Sequence, residues 1–447
     1  MRKTAVLFVL PFFLFVNIQA QQNDLLEAGP MLGHVEFEEV NLWLQTTSPA
    51  SFEITYWPKG EEDSARSYKG TTNTRASNTA HIKLANLSEG TTYEYDIFVN
   101  DTKMTFSYAT EFATQKQWKY RTAAPNVTLA MGSCLYINDP EDDRPGDGYG
   151  GDPAILETIA DMNPDLMLWL GDNLYYREPD FYTEEQMDAR YKDARNTPEM
   201  QRLLATSANL ATWDDHDYGP NNSSGTYRMK EASLNIFKRY WANPSYGIKG
   251  TDGVFSRYKY SDIEIFLMDD RYHRAPNQLK NPKKPFFGKE QLQWLTNSLI
   301  DSDATFKLVV VGNQVTNKKN DFEAMASYKQ EFNRLKTFLK NQDVEGVVFL
   351  SGDRHFSELL KTERKDRYPL YEFTSSPLTA GNFDSLDEYD EFDNPQRVDG
   401  TVVYKERSFG IIKVEGGRGE RKLILQTYNK AGDKLWEHVI TQQELEN

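Results

Sequence analysis

The stretch Leu166-Met167-Leu168-Trp169-Leu170-Gly171-Asp172-Asn173-Leu174-Tyr175 changes character at one residue: five apolar side chains give way to a glycine and then to polar groups. A short apolar run bounded by a turn signal is the pattern of a strand buried on both faces, as in a sheet covered by helices. The punctuation recurs along the chain. Val127–Met131 runs into Gly132-Ser133-Cys134, and Leu210–Trp213 into Asp214-Asp215-His216-Asp217 with Asn221 beyond. Phe306–Val311 runs into Gly312-Asn313-Gln314, Val347–Leu350 into Ser351-Gly352-Asp353-Arg354-His355, and Ile263–Met268 into Asp269-Asp270-Arg271-Tyr272-His273. Helical spacing falls between the runs, at Pro153–Met162, Glu231–Trp241, Glu290–Ile300 and Tyr328–Leu339. Alternating strands and helices predict a layered α/β domain over 125–447. Runs at Gly410–Val414, Leu423–Tyr428 and Leu435–Ile440 are expected to pair antiparallel, so the sheet is mixed.

The residues before Pro125 read differently. Val40–Gln45, Phe52–Tyr56 and Tyr93–Val99 alternate polar with apolar between turn clusters, which predicts a small β-sandwich over 25–115. Leu87–Tyr95 resembles the strand-entry corner of fibronectin type III domains, where a tyrosine hydroxyl pins the turn. With 447 residues the chain exceeds one core, which stops growing at roughly 250–300 residues, so two domains are expected. At the start, Arg2 and Lys3 precede the apolar run Ala5–Val16, and Ile18-Gln19-Ala20 is followed by two glutamines. This reads as a signal peptide over 1–20, giving an exported protein, periplasmic or extracellular. No other segment is long and apolar enough to span a bilayer. A formal charge of −16 excludes a nucleic-acid scaffold as partner, because phosphate backbones select clustered Lys and Arg. A phosphorylated small-molecule or lipid substrate stays open, since bound cations invert the local field.

Strand ends of an open α/β sheet gather at one rim, where such folds place ligands. Five of these six ends, all but that after Ile263–Met268, bring carboxylates, amides, imidazoles, a phenol and the single cysteine to that rim. Alone, each has a plainer reading: Cys134 as a buried hydrophobe, the Asp214–Asp217 turn as a solvated acidic face, His355 as a hydrogen-bonded core residue, His273 as structural. Their joint occurrence argues for several cations, because so many like charges repel unless compensated. Other chemistry is excluded. Asp143–Ala154 has Asp147-Gly148 as a calcium loop requires, but Pro145 and Ala154 stand where oxygen ligands belong. No glycine-rich phosphate loop or nucleophile elbow is present. Gly146–Gly151 is expected to be a flexible loop at the mouth.

Together, Gly132-Ser133-Cys134, Gly171-Asp172-Asn173-Leu174-Tyr175, Trp213-Asp214-Asp215-His216-Asp217 with Asn221, and Ser351-Gly352-Asp353-Arg354-His355 resemble the motif set of PhoD-type alkaline phosphatases. These are a branch of the calcineurin-like metallophosphoesterases. The resemblance runs from about Asn126 to the C-terminus. It implies an αββα sandwich behind the fibronectin III-like domain, and a cluster of Fe3+ and Ca2+, with other divalent metals as alternatives. By position, Cys134, Asp172, Tyr175 and Asp353 would bind iron, with Asp172 bridging, and Asn221 would lie towards calcium. Asp215 and His355 complete the candidate ligand set, His355 as ligand or orienting group. Thiolate and phenolate suit Fe(III), and carboxylate and amide oxygens suit Ca(II). The spacing Tyr218-Gly219-Pro220 before Asn221 is one residue longer than in the bacterial type enzyme, so Asn222 is an alternative to Asn221.

The expected reaction is hydrolysis of a phosphate ester by a metal-bound hydroxide. His216 would protonate the leaving oxygen, and Arg271 or Arg354 would grip the phosphoryl group. Two alternatives stay open: a phosphodiesterase or phospholipase acting on lipid or nucleotide diesters, and a non-catalytic calcium-binding adhesion protein.

Overall fold

The computed structural model describes residues 24–137, 143, 148–319, 323–383 and 393–447. The expected signal peptide, and residues 144–147 of the Asp143–Ala154 and Gly146–Gly151 segments, lie outside these residues.

Alternation of apolar and polar residues builds the N-terminal unit. Its strands are β1 (Leu26–Val35), β2 (Glu39–Thr46), β3 (Ser51–Pro58), β4 (Arg66–Thr71), β5 (Thr79–Ala85), β6 (Thr92–Val99), β7 (Thr102–Lys103) and β8 (Glu111–Ala113). They form two sheets, β1-β2-β5 and β4-β3-β6-β7, with β8 pairing β6. At the corner expected from Leu87–Tyr95, the Tyr93 hydroxyl accepts the Ser88 N–H at 2.8 Å, a turn pinned by a phenol.

Beyond Pro125 two six-stranded sheets stack. The first, in the order β11-β10-β9-β18-β19-β20, contains β9 (Val127–Gly132), β10 (Leu166–Leu170), β11 (Ala208–Thr212), β18 (Ser408–Glu415), β19 (Lys422–Asn429) and β20 (Lys434–Thr441). The second, β12-β13-β14-β15-β17-β16, contains β12 (Ser256–Tyr260), β13 (Ile263–Leu267), β14 (Phe306–Val311), β15 (Val347–Ser351), β16 (Glu358–Arg364) and β17 (Arg367–Thr374). Strands β9, β10 and β11 are mutually parallel, as are β13, β14, β15 and β17. The late strands β18, β19 and β20 pair antiparallel, as their patterning predicts.

The run Leu166–Leu170 shows why it is continuous. Leu166, Leu168 and Leu170 face the core between the sheets, while Met167 and Trp169 face the opposite side. There they meet helices α1 (Ile155–Asp161), α2 (Glu184–Arg195), α3 (Pro198–Thr206) and α5 (Lys230–Tyr240). Each fully buried Leu contributes roughly 1.5–3 kcal/mol. On the second sheet, Phe266 touches Trp294 of α6 (Lys289–Asp301), and Phe332, Leu335 and Leu339 of α7 (Lys329–Asn341) join the core. The order helices, sheet, sheet, helices is the expected αββα sandwich. The short helix α4 (Asp215–Tyr218) is one turn at the end of β11.

The N-terminal sandwich shares this core. Met31 and Trp43 are buried with Trp169 and Trp241, and the Trp43 indole donates to the Arg239 carbonyl at 2.8 Å. Helices α2 and α3 and strands β12, β16 and β17 were not anticipated. In α2 only Met187, Tyr191, Ala194 and Arg195 are buried, too few apolar positions to mark a helix in sequence.

Candidate metal centre

Parallel strands deliver their carboxyl ends to one rim, and the connections leaving them meet there. The backbone turns sharply: Cys134 (φ 58°), Asp172 (φ 51°), Asp353 (φ 70°) and His355 (φ 56°) all lie in the left-handed region. For non-glycine residues such conformations cost about 1–3 kcal/mol each and cluster where surrounding structure imposes them for function. Gly171 (φ 89°) is needed twice over, because a Cβ there would sit 2.7 Å from Asp214 Cβ.

Three overlapping groups of side chains could each hold a cation: Cys134, Asp172 and His355; Asp172, Asp215 and His216; and Asp214, Asp215 and Asp353. Within each group the ligand atoms lie within 4.8 Å of one another. Asp172 belongs to the first two, as a bridging carboxylate must. Its Oδ2 accepts the Tyr175 hydroxyl at 3.1 Å and lies 3.7 Å from Cys134 Sγ. The Tyr175 hydroxyl is 3.4 Å from His355 Nε2. His355 Nδ1 is 2.5 Å from the Gly381 carbonyl, which can only accept, so Nδ1 carries the proton and Nε2 keeps its lone pair. The His216 ring lies over the Tyr175 ring at 4.2 Å, and its backbone N–H donates to Asp172 Oδ1.

The electrostatics test whether cations fit. Burial, then repulsion from Asp215 and Cys134, pushes the Asp172 carboxyl well above its ordinary range. Burial likewise raises the Cys134 thiol and the Tyr175 phenol, and carries Asp353 up to about 7. Burial lowers both His216 and His355, leaving neutral imidazoles near pH 7. Asp215 is different. Burial opposes its charge, but Arg271, His216 and the Asn222 N–H hold it well below the usual carboxylate range. Its Oδ1 is buried without a hydrogen-bond partner. An orphaned carboxylate oxygen among crowded anionic donors is the environment a cation completes, and the donor set fits the implied metals.

Several side chains play parts the sequence did not assign. Asp214, fully buried, receives Arg271 Nε at 2.5 Å and the Asn313 amide at 2.8 Å. Arg271, expected to grip substrate, has a 0% accessible side chain. It also donates to Asn313 Oδ1 and the Ser223 carbonyl, so it is the internal counter-charge of the acidic cluster. Arg354, half-buried at the rim, remains the arginine with access to solvent. Asn221 is exposed, whereas Asn222 donates its N–H to Asp215 Oδ2 at 2.5 Å and accepts from Asn277. The extra residue of spacing thus puts Asn222 against the cluster. His273 turns away, 2.7 Å from the Asp252 carbonyl. Asp217 accepts four N–H donors, from Asp172, Asp214 and both the backbone and side chain of Asn173, and holds two strand ends together. Tyr149 reaches over the mouth, its hydroxyl 3.1 Å from His355 Nδ1.

Residues 133–423 match the family model described as PhoD-like phosphatase, and residues 23–117 match one described as a domain of unknown function (DUF7800). Alkaline phosphatase D of Bacillus subtilis (strain 168) is 26% identical over 284 residues, covering 52% of this chain. The match spans 46% of that protein, so about half its length. A solved structure of PhoD superposes with a TM-score of 0.73 at 16% identity, covering 91% of both chains. A purple acid phosphatase from yellow lupin superposes with a TM-score of 0.64 at 10% identity, covering 92% of this chain and 74% of that one. At such identities these two likenesses speak for the fold alone.

Proposed function

The chain belongs to the PhoD-like phosphatase family, and from that premise we propose that it is an exported, metal-dependent phosphoric ester hydrolase. The observation that supports this most is the overlap of three cation-capable groups through Asp172 and Asp215, with Asp215 Oδ1 buried, without a hydrogen-bond partner and only 3.7 Å from Arg271. Cys134, Asp172, Tyr175, Asp353 and His355 would hold an iron ion. Asp215, with an oxygen of Asn222 or Asn221, would lie on the calcium side. When bound, such cations lower the pKa of a water and neutralise charge on phosphoryl oxygens. The rest falls to the protein. Asp172, shared by two of the groups, would bridge the two sides, and the Gly381 carbonyl keeps the His355 lone pair turned inward. Arg354 at the rim has the fork of donors that fits a phosphoryl group. His216, its ring over Tyr175, would present its ring N–H to the leaving oxygen.

Dialysis of the purified protein against a chelator should abolish hydrolysis of an aryl phosphate monoester, and iron with calcium should restore it. Elemental analysis of the active protein identifies the metals. Full turnover by metal-free protein would overturn the reading. Comparing mono- and diester forms of one chromogenic substrate decides the preferred ester, and no hydrolysis of either by metal-replete protein would favour a non-catalytic role.

A further inference from the structure

The loop leaving β17 closes around Cys134. The Leu378 N–H donates to the Ser133 carbonyl, and the Thr379 and Ala380 N–H groups to the Cys134 carbonyl. Within this loop Ser376 is fully buried, and its hydroxyl oxygen lies 3.1 Å from Cys134 Sγ. The same oxygen accepts the backbone N–H of His355 at 2.9 Å. A hydroxyl has a single proton, and an N–H can only donate. The Ser376 proton is therefore directed at the sulfur. Ser133, the other hydroxyl near the sulfur at 3.5 Å, donates to the Ser375 carbonyl at 3.1 Å. Ser376 is itself oriented through its backbone. Its N–H donates to Ser357 Oγ at 3.2 Å, and its carbonyl accepts from that hydroxyl at 3.1 Å.

One side chain thus touches two candidate ligands at the ends of different strands, Cys134 after β9 and His355 after β15. We infer that Ser376 is a positioning residue for the metal centre, donating to the Cys134 thiolate and locking the His355 backbone so that both meet one ion. The inference rests on the proposed ligand roles of Cys134 and His355. A hydrogen bond to a ligating thiolate draws electron density from sulfur and weakens its donation to the metal, which tunes the centre without touching substrate. Partners of this kind typically change metal affinity or activity by about 10–100-fold.

Co(II) tests it by a readout independent of turnover, because cobalt–thiolate bonding gives a near-ultraviolet charge-transfer band. Ser376→Ala should move that band to longer wavelength, since sulfur without its hydrogen bond is easier to ionise. Because Cys134 and His355 are no longer held together, Co(II) binding should also weaken by about 10-fold or more, despite the stronger donation from sulfur. Ser376→Thr, which keeps the hydroxyl, should return both towards wild type. A wild-type measurement covers the case in which Ser376→Ala fails to fold: the metal–sulfur stretch in resonance Raman should shift between H2O and D2O. A wild-type band that Cys134→Ala abolishes but Ser376→Ala leaves unmoved, or a stretch indifferent to D2O, overturns the inference and spares the ligand reading. A spectrum the same in wild type and Cys134→Ala overturns both.

Discussion

Replacing Asp217 with asparagine exchanges one oxygen for an NH2 group and leaves the shape of the side chain unchanged. Asp217 Oδ1 accepts from Asp214 N at 2.7 Å and Asp172 N at 3.2 Å; Oδ2 accepts from the Asn173 amide at 2.7 Å and Asn173 N at 3.1 Å. An asparagine offers one carbonyl, so one pair of donors must face another donor. A buried donor left unpaired costs about 1–3 kcal/mol, so two cost about 2–6 kcal/mol. The Asn173 amide also donates to the Thr212 carbonyl at 2.7 Å, which cushions the loss on that side. The expected destabilisation is therefore about 2–4 kcal/mol. Burial lifts the Asp217 carboxyl to about 7, against the pull of its donors, so the comparison belongs at pH 8, where the carboxylate is ionised. Urea unfolding followed by tryptophan fluorescence should show the lower midpoint. Because Asp217 also fixes the left-handed turn at Asp172, retained metal after dialysis should fall by about 10-fold or more. An Asp217→Asn protein within about 0.5 kcal/mol of wild type that keeps its metal would refute the reasoning, since surface-like tolerance of that size means no buried donor was stranded.

Tyr175→Phe should bleach an iron-loaded protein, because the visible band of an Fe(III) phenolate needs the oxygen. Tyr176→Phe should stay coloured, as Tyr176 packs in the helix-side core with Tyr191, and absorption spectra of the two variants decide. Asn222→Ala should weaken calcium binding in calorimetric titration more than Asn221→Ala, whose side chain lies exposed; the reverse order would return the role to Asn221. Arg421→Met should cost about 3–5 kcal/mol in urea unfolding with metal content unchanged, because it strands Asp262 in a buried two-bond pair (2.8 and 2.9 Å) far from the rim.

Strand existence was legible along the chain wherever a strand is covered on both faces. β9, β10, β13, β14 and β15 announce themselves as unbroken apolar runs because the sheet-to-sheet core lies on one side and a helix layer on the other. β12, alternating buried and exposed residues at an edge, carries no such signal, nor do β16 and β17 with Lys361, Glu363 and Arg367 among them. The polar groups after each run were equally visible, so Cys134, Asp172, Tyr175, Asp215, His216, Asp353 and His355 could be placed at strand ends from local pattern, and the motif resemblance gave them roles. Partnership could not. Whether an arginine beside an aspartate grips a substrate or neutralises its neighbours depends on what surrounds it, and for Arg271 that is Asp214 and Asn313, 57 and 42 residues away. The preference for Asn222 over Asn221 rests on the bond from the Asn222 N–H to Asp215, a contact that spacing does not encode. Ser376, 242 residues from Cys134, stands in a segment with no motif at all. Residue types and their local order thus determined which groups reach the rim. Only the packing of two sheets face to face, which brings the ends of β9 and β17 together, decided which of them hold one another in place.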